Sequence, residues 1–148
     1  PQVAITTDVI VGFPGETETE YYETLDFVKS MNFAGGHVFT YSARPDSPAA
    51  RMHAQVRHET RKERNAVLQG IFRETAWDYR QQFIGRKLPV LWESTDLLSD
   101  LGWQMEGLTG NYIRVKAVAA DPRWNHLDSV ELVENGSDGM RGVIQPTG

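Results

Sequence analysis

The stretch DVIVGFPGETETEYYETLDFV, Asp8 to Val28, contains a whole strand-to-helix transition and limits the fold more than any other part of the chain. From Val3 to Val11 the residues are mostly apolar and β-branched, which predicts a buried strand ending in a turn at Gly12. Thr17 followed by Glu20 predicts a capping box, in which hydroxyl and carboxylate satisfy the first free N–H groups of a helix. Tyr21, Leu25 and Val28 recur at helical spacing, and Asn32 is placed to stop the helix near Met31. GGHVFTY then supplies Gly35 and Gly36 as a turn and a second apolar strand. Strand, helix and strand in so short a span form a βαβ unit, and the right-handed crossover makes the two strands parallel.

In open or barrel-shaped α/β sheets, ligands bind beyond the carboxyl ends of the strands. Those ends are GFPGET after the first strand and SARPDSP after the second. GFPGET lacks the Lys-Ser/Thr pair of a Walker loop and is not GxGxxG. Gly12 and Gly15 still permit close backbone approach, Pro14 stiffens the turn, and the N–H groups near Thr17 face any anion. By itself the segment also reads as a tight strand-to-helix turn.

A second helix is expected from Thr60, with Glu63 as another capping-box partner, to about Gln82. Its spacing predicts Val67, Leu68, Ile71, Phe72 and Trp77 as the buried side and Arg61, Lys62, Arg64 and Arg73 as the other face. The charge is uneven. Residues 1–50 hold 2 Lys/Arg against 7 Asp/Glu, residues 51–87 hold 9 against 4, and residues 88–148 hold 4 against 9. The central basic island is either the solvated face of a helix or a strip for phosphates, and a net charge of -5 argues against indiscriminate nucleic-acid binding.

After Gly85 the texture changes to LPVLWE, WQMEGLT, YIRVKAVA, SVELVE and GVIQ, separated by Gly, Asn, Asp and Pro. Five short strands of this kind predict a small closed β-barrel, which leaves no exposed sheet edge. The boundary is placed near residue 82, giving units 1–82 and 83–148. Gly110-Asn111 is the expected hairpin turn.

The absence of cysteine excludes disulfides and thiolate metal sites, and the four histidines make no zinc spacing such as HExxH. No apolar run approaches the ~20 residues of a membrane-spanning helix, and no secretory leader is visible, so a cytoplasmic protein is expected.

TTDVIVGFPGETETEYYETLDFV, followed by HVFTYSARPDSPAARM with QV and KER behind it, resembles the back half of the radical-SAM domain of the MiaB-type methylthiotransferases, which modify tRNA. IGRKLPVLWE, GW and GLTGNYIRV resemble the TRAM domain, the small RNA-binding barrel at the carboxyl terminus of such enzymes. HVFTYSARPDSPAARM is most similar to the branch that methylthiolates threonylcarbamoyladenosine. The branch acting on ribosomal protein S12 ranks second, since it usually carries an acidic residue where Arg44 and Pro45 stand. His53 and Arg57 depart from the family, which more often has Pro there, as does Gly110-Asn111, where Asp-Asn is expected.

The resemblance implies a fold in two parts, an α/β partial TIM-type barrel followed by an all-β, five-stranded, OB-like TRAM barrel. It implies a full-length enzyme with S-adenosylmethionine and two four-iron four-sulfur clusters, whose cysteine ligands are absent from this chain. The chain is therefore expected to be a carboxyl-terminal portion, inactive alone, that supplies a wall of the cofactor site and binds the anticodon stem-loop of tRNA. The reaction implied is insertion of a methylthio group at C2 of a modified adenosine next to the anticodon. The cofactor-site candidates are Asp8, Gly12, Phe13, Pro14, Gly15, Glu16, Tyr41, Ser42 and Arg44, with no catalytic residue and no metal ligand among them. Asp8 equally suits pairing with a neighbour on the sheet, and Glu16 suits a helix-start carboxylate. The RNA-binding candidates are Arg86, Lys87, Trp92, Trp103, Tyr112, Arg114 and Lys116. Some of these rings must fill the core of so small a barrel. Arg114 and Lys116 share a strand face by the period of two. Partners expected besides tRNA are the amino-terminal part of the same protein and a second copy joined through open sheet edges. The competing reading is a non-catalytic RNA-binding module.

Overall fold

The computed structural model describes residues 3–97 and 102–146. The chain divides into two compact units, Ile5–Ala76 and one built from Trp77 onward together with Val3 and Ala4 at the start of the chain, so the division falls inside a helix.

In the first unit, β1 (Thr6–Val11) and β2 (Gly35–Thr40) pair in parallel, with Asp8 opposite His37 and Ile10 opposite Phe39. Between them α1 runs Glu18–Met31. Its start is as expected: Thr17 accepts from the Glu20 N–H at 3.2 Å, and the Glu20 carboxylate accepts from the Thr17 N–H at 2.8 Å. Those bonds hold the exposed Glu20 carboxyl below its ordinary range, the backbone bond from Thr17 contributing most. Asn32 ends the helix in the left-handed conformation.

The second helix, α2, covers His58–Gln81. It begins two residues before the expected Thr60, and the Arg57 carbonyl accepts its first bond, from the Arg61 N–H. Leu68, Ile71 and Phe72 are buried as predicted, whereas Val67 and Trp77 are exposed. Their places inside are taken by Arg64, which is 8% exposed. The core of this unit joins Val11, Tyr21, Leu25, Val28 and Phe33 to that side of α2. Gly35 and Gly36 are not a turn but the first residues of β2. A Cβ on Gly36 would sit 2.5 Å from the Phe72 ring, so the glycine is required by close helix-to-strand packing. The opposite face of the sheet, bearing Asp8, Ile10, His37 and Phe39, is exposed, and among the described residues each strand keeps one unpaired edge.

The second unit is a closed five-stranded barrel: β3 (Lys87–Leu97), β4 (Trp103–Thr109), β5 (Arg114–Ala119), β6 (Leu127–Asn135) and β7 (Met140–Ile144), ordered β3-β4-β5-β7-β6. Each lies close to a strand predicted from the sequence. The β5–β7 contact is parallel and the rest antiparallel, so the barrel is mixed and OB-like in form. Alternate residues point inward, and Val90, Trp92, Met105, Val115, Val130, Leu132 and Met140 fill the interior. β3 pairs with β6 over Lys87–Leu91 and with β4 over Val90–Leu97, and a bulge between Trp92 and Ser94 shifts the register of the β4 pairing. In the β4–β5 hairpin the left-handed residue is Tyr112, at φ 60°, and not Gly110 or Asn111. The turn is closed by the Thr109 hydroxyl, which accepts from the Ile113 N–H at 2.9 Å.

Candidate functional sites at the strand ends and on the barrel face

Gly12 and Gly15, with φ of 71° and 91°, let the chain turn from β1 into α1 with backbone exposed at Gly15 and buried at Gly12. The loop is tied down from three directions. The Glu16 carboxylate accepts from the N–H groups of Gly12 and Phe13, and it forms an ion pair with Arg64 at 3.1 Å, the two side chains being only 15% and 9% exposed. The Gly15 N–H donates to the Ala54 carbonyl at 2.7 Å, which lays the lead-in to α2 against the loop. Arg61 presses its methylenes on Gly12, where a Cβ would lie 2.1 Å from Cγ, and it donates to the Tyr41 carbonyl at the end of β2.

Tyr41 in turn meets Phe13 edge-on, ring centres 5.3 Å apart, and its N–H donates to the Val11 carbonyl. Gly12, Phe13, Pro14, Gly15, Glu16 and Tyr41 are thus brought together, as a wall rather than a closed pocket. Beside it runs an open groove of about 410 Å³ lined by Val9, Ile10, Phe13, Pro14, Gly15 and Glu20. Asp8 lies about 10 Å back along β1 at the ordinary rise per residue, and its carboxylate sits 3.2 Å from Nδ1 of His37. Ser42 and Arg44 are exposed, and the Arg44 carbonyl accepts from both the N–H and the hydroxyl of Ser47 in the following turn.

The basic island changes meaning here. Arg64 does not belong to an outward face: its guanidinium lies 4.9 Å from the centre of the Tyr21 ring and donates to the Glu16 carbonyl, while the Tyr21 hydroxyl donates to the Arg64 carbonyl. Burial pushes the Tyr21 hydroxyl upward in pKa. Arg61 is half-buried, and only Lys62 and Arg73 of the expected four stand in solvent.

On the barrel, the aromatic candidates separate by the alternation of the strands. Trp92 is 1% exposed and donates its indole N–H to Asp128 at 2.7 Å. Its ring is core, which corrects the expectation that it stacks on bases. Trp103 is half-buried against the same core, and Tyr112 is 81% exposed. Arg114 and Lys116 do lie on the outer side of β5 and converge on Glu106 of β4, at 3.7 and 3.4 Å. Lys116 also meets Asp138 at 2.8 Å, a hydrogen bond that raises the Lys116 pKa and lowers that of Asp138. Arg141 of β7, opposite Lys116 in register, bonds Glu134. Lys116 and Arg141, with Gln104, Val118 and Val143, line a groove of about 430 Å³. Arg141 and Gln104 escaped the sequence reading: alternation predicts that Arg141 points outward, but nothing local announces a parallel β5–β7 pairing. Exposed pairs of this kind contribute little stability, so the cations remain exchangeable partners for another anion. Arg86 stacks 5.3 Å from the Phe83 ring, and Lys87 faces Glu131 across β6, apart from the β5 cations.

The two units define a class: an α/β unit with a glycine-bearing loop at the end of its first strand, joined to a small OB-like barrel with cations on its third and fifth strands. No protein-family model matches the chain. A tRNA-2-methylthio-N(6)-dimethylallyladenosine synthase of Frankia casuarinae is 38% identical over 148 residues, 99% of this chain and 26% of that protein. The threonylcarbamoyladenosine tRNA methylthiotransferase MtaB of Bacillus subtilis is 35% identical over 136 residues, 92% of this chain and 30% of that protein. A second dimethylallyladenosine synthase, from Parafrankia sp., is 34% identical over 99% of this chain and 27% of its own length. The chain belongs to the MiaB-type tRNA methylthiotransferase family. It spans about a quarter of the length of these curated relatives.

Proposed function

We propose that this chain is the carboxyl-terminal quarter of a radical-SAM tRNA methylthiotransferase that places a methylthio group at C2 of an adenosine already substituted on N6. The observation that carries the reading is similarity over nearly the whole chain, through both units, to enzymes named for this modification. No helix among the described residues is long and apolar enough to cross a membrane, and the tRNA substrate of this reading is the ground for placing the enzyme in the cytoplasm.

The first unit fits the cofactor role. Its two glycines open the backbone at the carboxyl ends of a parallel pair, and among the described residues the buried Tyr41 hydroxyl has no protein partner. Gly12 to Glu16 with Tyr41 would form one wall for S-adenosylmethionine, Phe13 and Ile10 offering apolar surface and Gly15 exposed backbone. The cofactor, with its iron–sulfur cluster, supplies the radical chemistry. Among the described residues no cluster of His, Asp or Glu could hold a metal, and the sequence has no cysteine, so in this reading the clusters would be held by cysteines outside this chain. This chain's own share is to bind, orient and exclude water. Comparing the full gene product with this chain for methylthioadenosine in tRNA tests the assignment: product from the full protein and none from the chain is expected. Nucleoside analysis distinguishes dimethylallyl from threonylcarbamoyl substrates, and a full protein lacking a CxxxCxxC sequence would overturn the reading.

The barrel supplies RNA binding. β4 and β5 are its second and third strands, the face that OB-like barrels present to oligonucleotides. Arg114 and Lys116, with Arg141 beside them, would exchange carboxylates for phosphates, and Tyr112 would offer a ring for stacking. Replacing Arg114 and Lys116 together by alanine is expected to weaken binding of an anticodon stem-loop at least tenfold at low salt and to flatten its salt dependence by about two phosphate contacts. Filter binding across a salt series checks this, and an unchanged slope would place the RNA elsewhere.

A further inference from the structure

We propose that Arg61, with Arg64 as its companion one turn on, is a positioning residue that holds the β1 and β2 loops in the geometry that receives S-adenosylmethionine. The inference rests on the cofactor reading above and reassigns part of the basic island from phosphate contact to loop control.

Arg61 is the side chain shared by both loops. Its Cβ, Cγ and Cδ occupy the space over Gly12 that any larger residue would claim, and its guanidinium donates to the carbonyl of Tyr41. The Tyr41 ring meets Phe13 of the first loop, so the helix, the β1 loop and the end of β2 close a three-way contact around Gly12. Among the described residues, the buried Nε of Arg61 has no protein partner. A side chain selected only for folding would gain from satisfying or removing that group. Arg64 fixes the far end of the same loop through the carboxylate and carbonyl of Glu16, and Ala54 fixes its middle through Gly15. All three tethers come from the span between Ala54 and Arg64, which does not itself form the wall. Replacing Arg61 by methionine keeps a long unbranched stem against Gly12 and removes only the polar end, so it is the informative substitution.

The test uses the full-length enzyme with its clusters, measuring equilibrium binding of S-adenosylmethionine, binding of tRNA and the thermal transition. Arg61→Met is expected to raise the dissociation constant for S-adenosylmethionine about tenfold, the loss of one charge-assisted hydrogen bond. The tRNA affinity should stay within about twofold. Arg61→Lys, which keeps a donor on a flexible stem, should restore most of the cofactor affinity with an unchanged thermal transition. Unaltered cofactor binding in a folded Arg61→Met enzyme overturns the proposal. A loss of tRNA affinity comparable to that of the Arg114 and Lys116 replacements would return Arg61 to the phosphate contacts and also overturn it. Failure of the unsubstituted enzyme to bind S-adenosylmethionine would instead refute the cofactor reading itself.

Discussion

Replacing Arg64 by methionine is expected to destabilise the βαβ unit by about 3–5 kcal/mol, the typical cost of leaving one member of a buried ion pair uncompensated. The partner left behind is Glu16, whose side chain is 15% exposed. Without the guanidinium its carboxylate retains the N–H groups of Gly12 and Phe13 but has no cation, and the Tyr21 ring loses the cation over its face. A unit of this size has a total stability of only ~5–15 kcal/mol, so the loss is a large fraction of it. Removing both charges, as Glu16→Gln with Arg64→Met, should cost clearly less than the sum of the single changes. Arg57→Ala, which breaks a pair between side chains 84% and 69% exposed, should leave the transition where it was. Urea denaturation, followed separately in the two units, measures the unsubstituted chain, each single change, the double change and Arg57→Ala. An Arg64→Met transition coincident with the unsubstituted one would mean that the ion pair is not formed in solution.

Trp92→Ala should destabilise the barrel by a similar ~3–5 kcal/mol, because a large ring is removed from a filled interior. The indole also donates to Asp128, which Arg123 grips from the other side through both carboxylate oxygens. Those bonds, the Arg123 bond foremost, hold the Asp128 carboxyl below its ordinary range. A carboxyl depressed in the folded state contributes stability that is fully present above its unfolded pKa and is lost as the pH falls through its folded pKa. The acid limb of barrel unfolding should therefore steepen below the usual aspartate range, and Asp128→Asn should flatten it while lowering stability at neutral pH. Melting temperatures between pH 2 and pH 7, on the order of the range in which carboxylates titrate, check both statements. A barrel with the same acid limb in the Asn variant would remove Asp128 from the account.

The local elements were legible because their signals are local. The Thr17 and Glu20 capping box, the stop at Asn32 and the five barrel strands follow from neighbouring residues satisfying one another's backbone groups or alternating in and out. Of the candidate sites, the GFPGET loop was legible as a loop, and Arg114 and Lys116 as residues sharing a face. Arg64 and Trp92 were not. Periodicity ranks residues by apolarity, so it sent an arginine outward and left a tryptophan free to be either core or contact.

Sequence by itself determined the order of elements, the parallel pair, the barrel's strand count and, through residues such as Gly12 and Gly15, where the chain could turn. Only the tertiary structure decided which charges are spent inside the protein. An arginine goes inward when a carboxylate 48 residues away at Glu16 offers it a paired, hydrogen-bonded place, and no window along the chain contains both groups. For the cations of β5 the division runs through one side chain: Glu106 faces Lys116 within the β4–β5 hairpin, whereas Asp138 reaches Lys116 only through the parallel β5–β7 contact that closes the barrel.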